Sequence, residues 1–258
     1  MDFLKSCNQM AEAVSDAIRP VVGTQEAGRF IRMGADGTPT KWIDQLAEDS
    51  VVSYLTDNPL CRTLISEELG KREFSGSEGT IFLDPVDGTY NAIKGIPFYA
   101  LSIAFAIEGE VKYAFVRNLA NNETFTATLG GGAFLDERRI SCSSTRLLDG
   151  SAMSIYGRKF NPARVMQLGQ KIRRWRLLGS SALELCYIGC GRIDGFIDLR
   201  GTLRVTDAAA GMLVCTESGG KVSDLDGNRI RFPDEVTIGK CLVATNGLMH
   251  HKVIEYLR

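Results

Sequence analysis

Histidine is almost missing from this chain: there are two, His250 and His251, both close to its C-terminal end. Acid-base chemistry therefore falls to carboxylates, hydroxyls, lysines or metal-bound water. An excess of charge is missing too. Thirty basic residues against 31 acidic ones leave a formal charge of −1, which gives no footprint for nucleic acid or an anionic membrane and points to a small-molecule partner. No run of about 18 apolar residues occurs, and no basic start precedes an apolar core. Neither a membrane span nor a signal peptide is expected, and a soluble cytoplasmic protein is the default reading. The seven cysteines form no spaced framework, which suits reduced thiols in a core. Cys186 and Cys190 would share a helix face, but no second Cys or His pair completes a zinc site. Repeats, low-complexity tracts and linkers are also lacking. An apolar fraction of 44% over 258 residues is ample for one unit in which two halves, 1–150 and 151–258, pack closely.

Phe3, Cys7, Met10, Val14 and Ile18 recur at spacings of three and four, which predicts an amphipathic helix over 2–19, stopped by Pro20. Residues 23–39 mix glycines with Arg29, Arg32 and Asp36 without a period, and read as a mobile loop with room for a short hairpin. A second helix is expected from about Thr40, which could cap it, with Asp44 in its first turn. A short strand is expected at 63–66, and strands at 80–83, 99–107, 111–116 and 123–128 read as an antiparallel meander with one face buried. After Gly150 helical patterns at 162–172, 181–190 and 207–218 alternate with strands at 152–156, 195–199 and 242–245, and a helix over 247–257 closes the chain. The first half is thus α+β and the second α/β.

The stretch most suggestive of chemistry is Leu83-Asp84-Pro85-Val86-Asp87-Gly88-Thr89-Tyr90-Asn91, directly after a strand. Asp84 and Asp87 supply two carboxylates from one turn, Pro85 stiffens it, and Gly88 lets the backbone pass close to an anion. Amides of Gly88 and Thr89 could face a phosphate. A plain Asx-type turn closed by Asp-Gly would read the same way. Two further acidic elements lie at a strand end, Glu67-Glu68, and a helix start, Asp207-Ala-Ala-Ala-Gly211, where α/β proteins gather their sites. Each alone reads equally as a solvated pair or a helix cap.

Taken together, Glu67-Glu68, the Asp84-to-Asn91 stretch, and Asp207 to Gly211 with Ser218-Gly219-Gly220 downstream resemble the inositol monophosphatase family of lithium-sensitive, magnesium-dependent phosphatases. Residues 90–100 and Leu199-Arg200-Gly201 resemble its archaeal branch, which hydrolyses fructose 1,6-bisphosphate and inositol 1-phosphate. The resemblance implies a layered α-β-α-β-α sandwich, a homodimer, and two or three Mg2+ ions per site, with Mn2+ able to substitute. It assigns Glu67, Asp84, Asp87, Asp207 and the Val86 carbonyl to metal binding, and Thr89 with Asp44 to a pair beside the attacking water, where Glu67 also helps. Residues 23–39 match a mobile loop that helps bind a further ion. Gly88, Thr89, Ser180, Arg176, Asp198 and Arg200 are the substrate candidates, with Arg176 or Arg200 on a remote phosphate because a guanidinium binds two oxygens in a plane. Tyr156-Gly157-Arg158-Lys159 also falls where the family builds its pocket. Thr206 stands where family members usually carry Trp, a departure that leaves the substrate open. Alternatives are 3′-phosphoadenosine 5′-phosphate or NADP phosphatase activity, or a regulator that binds phosphometabolites without turnover.

Three other signals carry less. Asp224-Leu-Asp226-Gly-Asn228 lacks the glycine a calcium loop needs at its sixth place, where Arg229 stands, and reads as a hairpin turn. Trp175 among arginines is one aromatic in a neutral chain, poor support for nucleic acid. Gly130-Gly131-Gly132 has no following Lys-Ser or Lys-Thr and is a turn rather than a nucleotide loop.

Overall fold

A computed structural model describes residues 3–76, 78–156 and 162–257. Helix α1 (Phe3–Ile18) buries Cys7, Met10, Val14 and Ile18, the stripe its spacing predicts. A small hairpin follows, β1 (Phe30–Met33) and β2 (Pro39–Lys41), then α2 (Trp42–Asp57). Thr40 does not cap α2. It is fully buried, its hydroxyl donating to Glu68, and the cap falls one residue later, where the Asp44 carboxylate accepts the Lys41 amide at 3.0 Å.

The large sheet is built from β3 (Thr63–Ser66), β4 (Gly70–Glu73), β5 (Thr80–Asp87), β6 (Ala100–Ile107), β7 (Glu110–Asn118), β8 (Thr124–Thr128), β9 (Gly132–Leu135) and β10 (Arg138–Arg139), with the short helix α3 (Thr89–Lys94) between β5 and β6. Its order is β10-β9-β8-β7-β6-β5-β3-β4. The run from β5 to β8 is the expected antiparallel meander, which β9 and β10 extend, while β3 joins β5 in parallel. Both faces of this sheet are covered, not one. Leu83 and Ile103 pack with α1 and α2, whereas Phe82 and Ala104 lie in a cluster with residues from the second half. Strands covered on both faces need no polar alternation, and the unbroken burial of Ala100 to Ala106 reflects this.

The second half contributes β11 (Ala152–Tyr156), α4 (Pro162–Gly169), β12 (Arg174–Arg176), α5 (Ser181–Gly189), β13 (Gly195–Leu203), α6 (Val205–Glu217), β14 (Lys221–Ser223), β15 (Lys240–Thr245) and α7 (His250–Leu257). The smaller sheet runs β12-β11-β13-β15-β14, with β11 parallel to both neighbours. Asp224 to Gly227 forms a turn, but irregular chain rather than a partner strand follows it. Helices α5 and α6 lie between the sheets: Ala182, Leu183, Ala210 and Val214 pack toward the large sheet, Leu185, Ile188, Ala208 and Cys215 toward the small one. Val165 and Leu168 of α4 and Val253 and Ile254 of α7 cover its far face. The layers are therefore α-β-α-β-α. Small residues let α5 and α6 approach: a Cβ on Gly211 would stand 2.7 Å from the Leu185 Cβ. Among the described residues no helix is long and apolar enough to cross a membrane.

Candidate active site

Strand β5 carries the first two carboxylates into the centre. Its pairing with β6 shifts register between Asp84 and Asp87, around the Pro85 that cannot donate to a ladder. The resulting bulge turns both aspartates inward, where Asp84 is 2% exposed and Asp87 8%. The Asp84 carboxylate accepts the Val86 amide at 3.0 Å. Gly88 then takes a φ of +95°, and a Cβ there would press on the Phe98 and Gly179 carbonyls at 3.0 and 3.1 Å. The next residue starts α3, which sets the Thr89 hydroxyl 2.9 Å from Asp44 Oδ1 and 3.0 Å from the Val86 carbonyl. Asn91 of the same helix ties the halves together, donating to the Phe98 and Leu178 carbonyls at 2.8 Å each.

Glu67 at the end of β3 and Asp207 in the first turn of α6 reach the same place. One carboxylate oxygen each from Glu67, Asp84 and Asp207 lie within 4.8 Å of one another. Asp87 is the neighbour of this trio and is held from the other side: Ser180 Oγ, the Ser181 amide and the Ala182 amide at the start of α5 donate to it at 2.6, 3.2 and 2.7 Å. Burial pushes the Glu67 and Asp84 carboxyls well above the ordinary range, and their acidic neighbours push the same way. Burial, then Asp207, raises Asp87 to about 7. Burial, then Glu68, raises Asp44 to about 7. Such a cluster of oxygen-only donors fits a hard divalent cation, which would offset the burial and mutual repulsion that raise Glu67, Asp84 and Asp87.

A cavity of about 190 Å³ opens onto the cluster; Gly88, Thr89, Tyr156 and Arg200 line it with the four acids. A larger cavity, about 560 Å³, lies between α6 and residues 229–234, and none of the four acids lines it. Chemistry therefore outweighs size in choosing between them.

The substrate candidates divide. Arg200 lines the smaller cavity, stacked 4.4 Å over the Tyr156 ring. Asp198, fully buried, is turned away from it and grips the Arg200 guanidinium at 2.5 to 3.1 Å. Ser180 is also fully buried and serves Asp87, so Ser181 and Gly179 face the cavity in its stead. Arg176 stands exposed on edge strand β12, outside the cavity, donating to the Trp175 carbonyl. Gly157, Arg158 and Lys159 lie outside the described residues.

Sequence reasoning missed Arg204. It caps α6, three residues before Asp207, and its guanidinium reaches Asp207 at 2.9 Å, Glu67 at 2.7 Å and Asp36 of the β1–β2 turn. The Arg-x-x-Asp spacing at a helix start was the only available signal. Glu184 was missed as well: fully buried in the first turn of α5, it accepts the Leu178 amide at 2.9 Å and the Ser154 hydroxyl, and so fixes the loop that presents Gly179 to Ser181.

A sequence model of the inositol monophosphatase family matches residues 4–258. A fructose-1,6-bisphosphatase/inositol-1-monophosphatase of Methanothermobacter thermautotrophicus is 44% identical, over 96% of this chain and 94% of its own length. A bifunctional NADP phosphatase/NAD kinase of Methanococcus maripaludis is 33% identical over 98% of this chain, which spans 49% of that protein. Among solved structures, one described as an inositol monophosphatase-fructose 1,6 bisphosphatase superimposes with a TM-score of 0.92 at 27% identity, covering 100% of both chains. A Thermotoga maritima inositol monophosphatase gives a TM-score of 0.83 at 28% identity, over 100% of this chain and 97% of its own.

Proposed function

The chain belongs to the inositol monophosphatase family of metal-dependent phosphatases, and from that premise we propose that it hydrolyses fructose 1,6-bisphosphate and inositol 1-phosphate with Mg2+. The observation that carries the reading is the convergence of Glu67, Asp84 and Asp207 on one cavity that Arg200 also lines. With Asp87 and the Val86 carbonyl, these three residues would hold two or three ions. Bound there, Mg2+ supplies Lewis-acid chemistry: water made acidic near neutral pH and phosphoryl charge neutralised.

The chain's own groups do the rest. Thr89 and Asp44 take up the proton of the attacking water, which the 2.9 Å bond between them supports. Gly88, whose missing Cβ lets the Phe98 and Gly179 carbonyls pack close, lines the cavity with Thr89, and their amides meet a phosphoryl oxygen there. Arg200, kept rigid by Asp198 and Tyr156, meets the remote phosphate. Attack in line needs no covalent phosphoenzyme.

A second reading rests on the relatives named NADP phosphatase/NAD kinase, 33% and 31% identical. Phosphate release from fructose 1,6-bisphosphate, inositol 1-phosphate, NADP and adenosine 3′,5′-bisphosphate, with and without Mg2+, separates the two. The first pair should be the better substrates. Turnover of NADP above both would overturn the first reading. In the same assay Arg200→Ala should raise KM for the bisphosphate about 10- to 100-fold, the worth of a charge-assisted contact, and affect inositol 1-phosphate far less. Equal effects on both would remove Arg200 from the remote phosphate.

Protonation gives a second check. A carboxyl whose folded pKa is raised from 3.8 to about 7, as for Asp87, costs nothing below the lower value, destabilises the metal-free fold progressively as pH climbs between the two, and costs no more beyond the upper one. Mg2+ binds the ionised form and offsets this cost. Melting temperature without metal should therefore fall between about pH 4 and about pH 7, and the Mg2+-induced rise should be larger at the higher pH. A rise equal at both values would show that the cation binds elsewhere.

A further inference from the structure

We infer that Arg204 is a positioning residue: it bridges the β1–β2 turn to the Glu67 and Asp207 carboxylates, so that one guanidinium fixes both the turn and the metal-site acids. The part concerning metal rests on the proposed function above; the part concerning the turn does not.

Every nitrogen of the guanidinium is used. Nε and Nη2 hold the two Asp207 oxygens at 3.1 and 2.9 Å, and Nη1 holds Glu67 Oε1 at 2.7 Å and Asp36 Oδ2. The Arg204 side chain is 19% exposed and that of Asp36 1%, so the bridge is largely withdrawn from solvent screening. Only a planar group with five donors in fixed directions can serve three carboxylates in this way.

The turn needs such a tie. Among the described residues, strands β1 and β2 pair only with each other, and Phe30 and Met33 are 55% and 56% exposed, so little apolar burial holds the hairpin. A two-stranded hairpin on its own is marginal. Arg32, opposite Thr40 in the hairpin, fastens its middle, donating to the Glu68 carbonyl at 3.1 Å and to Glu48 at 3.2 Å. At the tip, the Ala35 and Asp36 amides donate to the Glu68 and Glu67 carbonyls at 3.1 and 3.3 Å. Those backbone bonds bring the tip alongside the site, and the Asp36 to Arg204 pair is the side-chain lock that closes it, across 168 positions of sequence.

Amide hydrogen exchange over residues 34–38 of the metal-free protein tests the first part. Arg204→Gln and Asp36→Asn should each speed exchange there at least about tenfold, with core strands unchanged, and the double variant should be no faster than either single one. Protection equal to wild type in Arg204→Gln, or effects that multiply, would overturn the lock. The second part is read by calorimetric titration with Mg2+ and Mn2+. Groups that orient metal ligands are worth about 10- to 100-fold in affinity, so Arg204→Gln should weaken binding by at least about tenfold, and Arg204→Lys should fail to restore it because an ammonium cannot span three carboxylates. Tighter binding in Arg204→Gln, with Arg204→Lys like wild type, would mean that the residue acts only as a competing charge. If wild type bound neither cation while the exchange results held, the metal reading would fail and the lock would stand.

Discussion

Asp84→Asn should lower kcat/KM by at least about three orders of magnitude, roughly 4 kcal/mol of transition-state stabilisation, while leaving the metal-free fold at least as stable as wild type. The two effects have opposite signs because of where the residue sits. Asp84 is 2% exposed, with Glu67, Asp87 and Asp207 all raising its pKa alongside burial. Ionising it without a cation is therefore expensive. Asparagine has the same shape and keeps an acceptor for the Val86 amide, so the substitution removes a buried charge without opening a cavity. It also removes one of three oxygens that lie within 4.8 Å of each other, and a neutral amide is a poor ligand for a hard cation. Phosphate release and thermal unfolding with and without Mg2+ read both effects. Wild type should gain melting temperature with Mg2+ and the variant should not. Activity within tenfold of wild type, or a metal-free melting temperature lowered as by a core cavity, would place the site elsewhere.

The parts legible in the sequence were those set by short-range pattern. The stripe of α1, the meander from β5, and the Asp84 to Asn91 stretch are local, and the resemblance joined that stretch to Glu67 and Asp207. What escaped depended on partners far along the chain. Ser180 looked like a sugar contact, yet its hydroxyl serves Asp87, 93 positions away. Asp198 looked free to meet a substrate and is instead spent on Arg200. Strand β12, Arg174 to Arg176, is exposed throughout and has no apolar signature, as suits an edge strand guarded by charge. Arg204 was hidden because helix starts are expected to carry a hydroxyl or a short acid, and only the folded chain shows three carboxylates around it. The two covered faces of the large sheet were foreshadowed by the unalternated apolar run over 99–107, which one-sided burial does not require.

Thr89→Ala should reduce kcat about 10²- to 10⁴-fold, the range for loss of a positioned proton-transfer group, with KM changed only a few-fold. The geometry gives the reason. A hydroxyl has one proton, yet Thr89 Oγ lies within hydrogen-bonding distance of two acceptors, Asp44 Oδ1 at 2.9 Å and the Val86 carbonyl at 3.0 Å. Its lone pairs remain available to a water in the cavity that it lines. A proton accepted from that water can pass to Asp44, whose other oxygen is pinned by the Lys41 amide and whose pKa, raised to about 7 by burial and then by Glu68, lies near neutrality, where a general base works best. Thr89→Ser keeps the hydroxyl and should retain most of the activity. Asp44→Asn should resemble Thr89→Ala, and because the two groups form one path, the double variant should be little worse than either alone. Thr89 is only partly buried and starts a short surface helix, so unfolding by denaturant should shift little, which separates a chemical role from a structural one. A loss below tenfold for Thr89→Ala, or losses that multiply in the double variant, would leave the attacking water to be deprotonated without this pair.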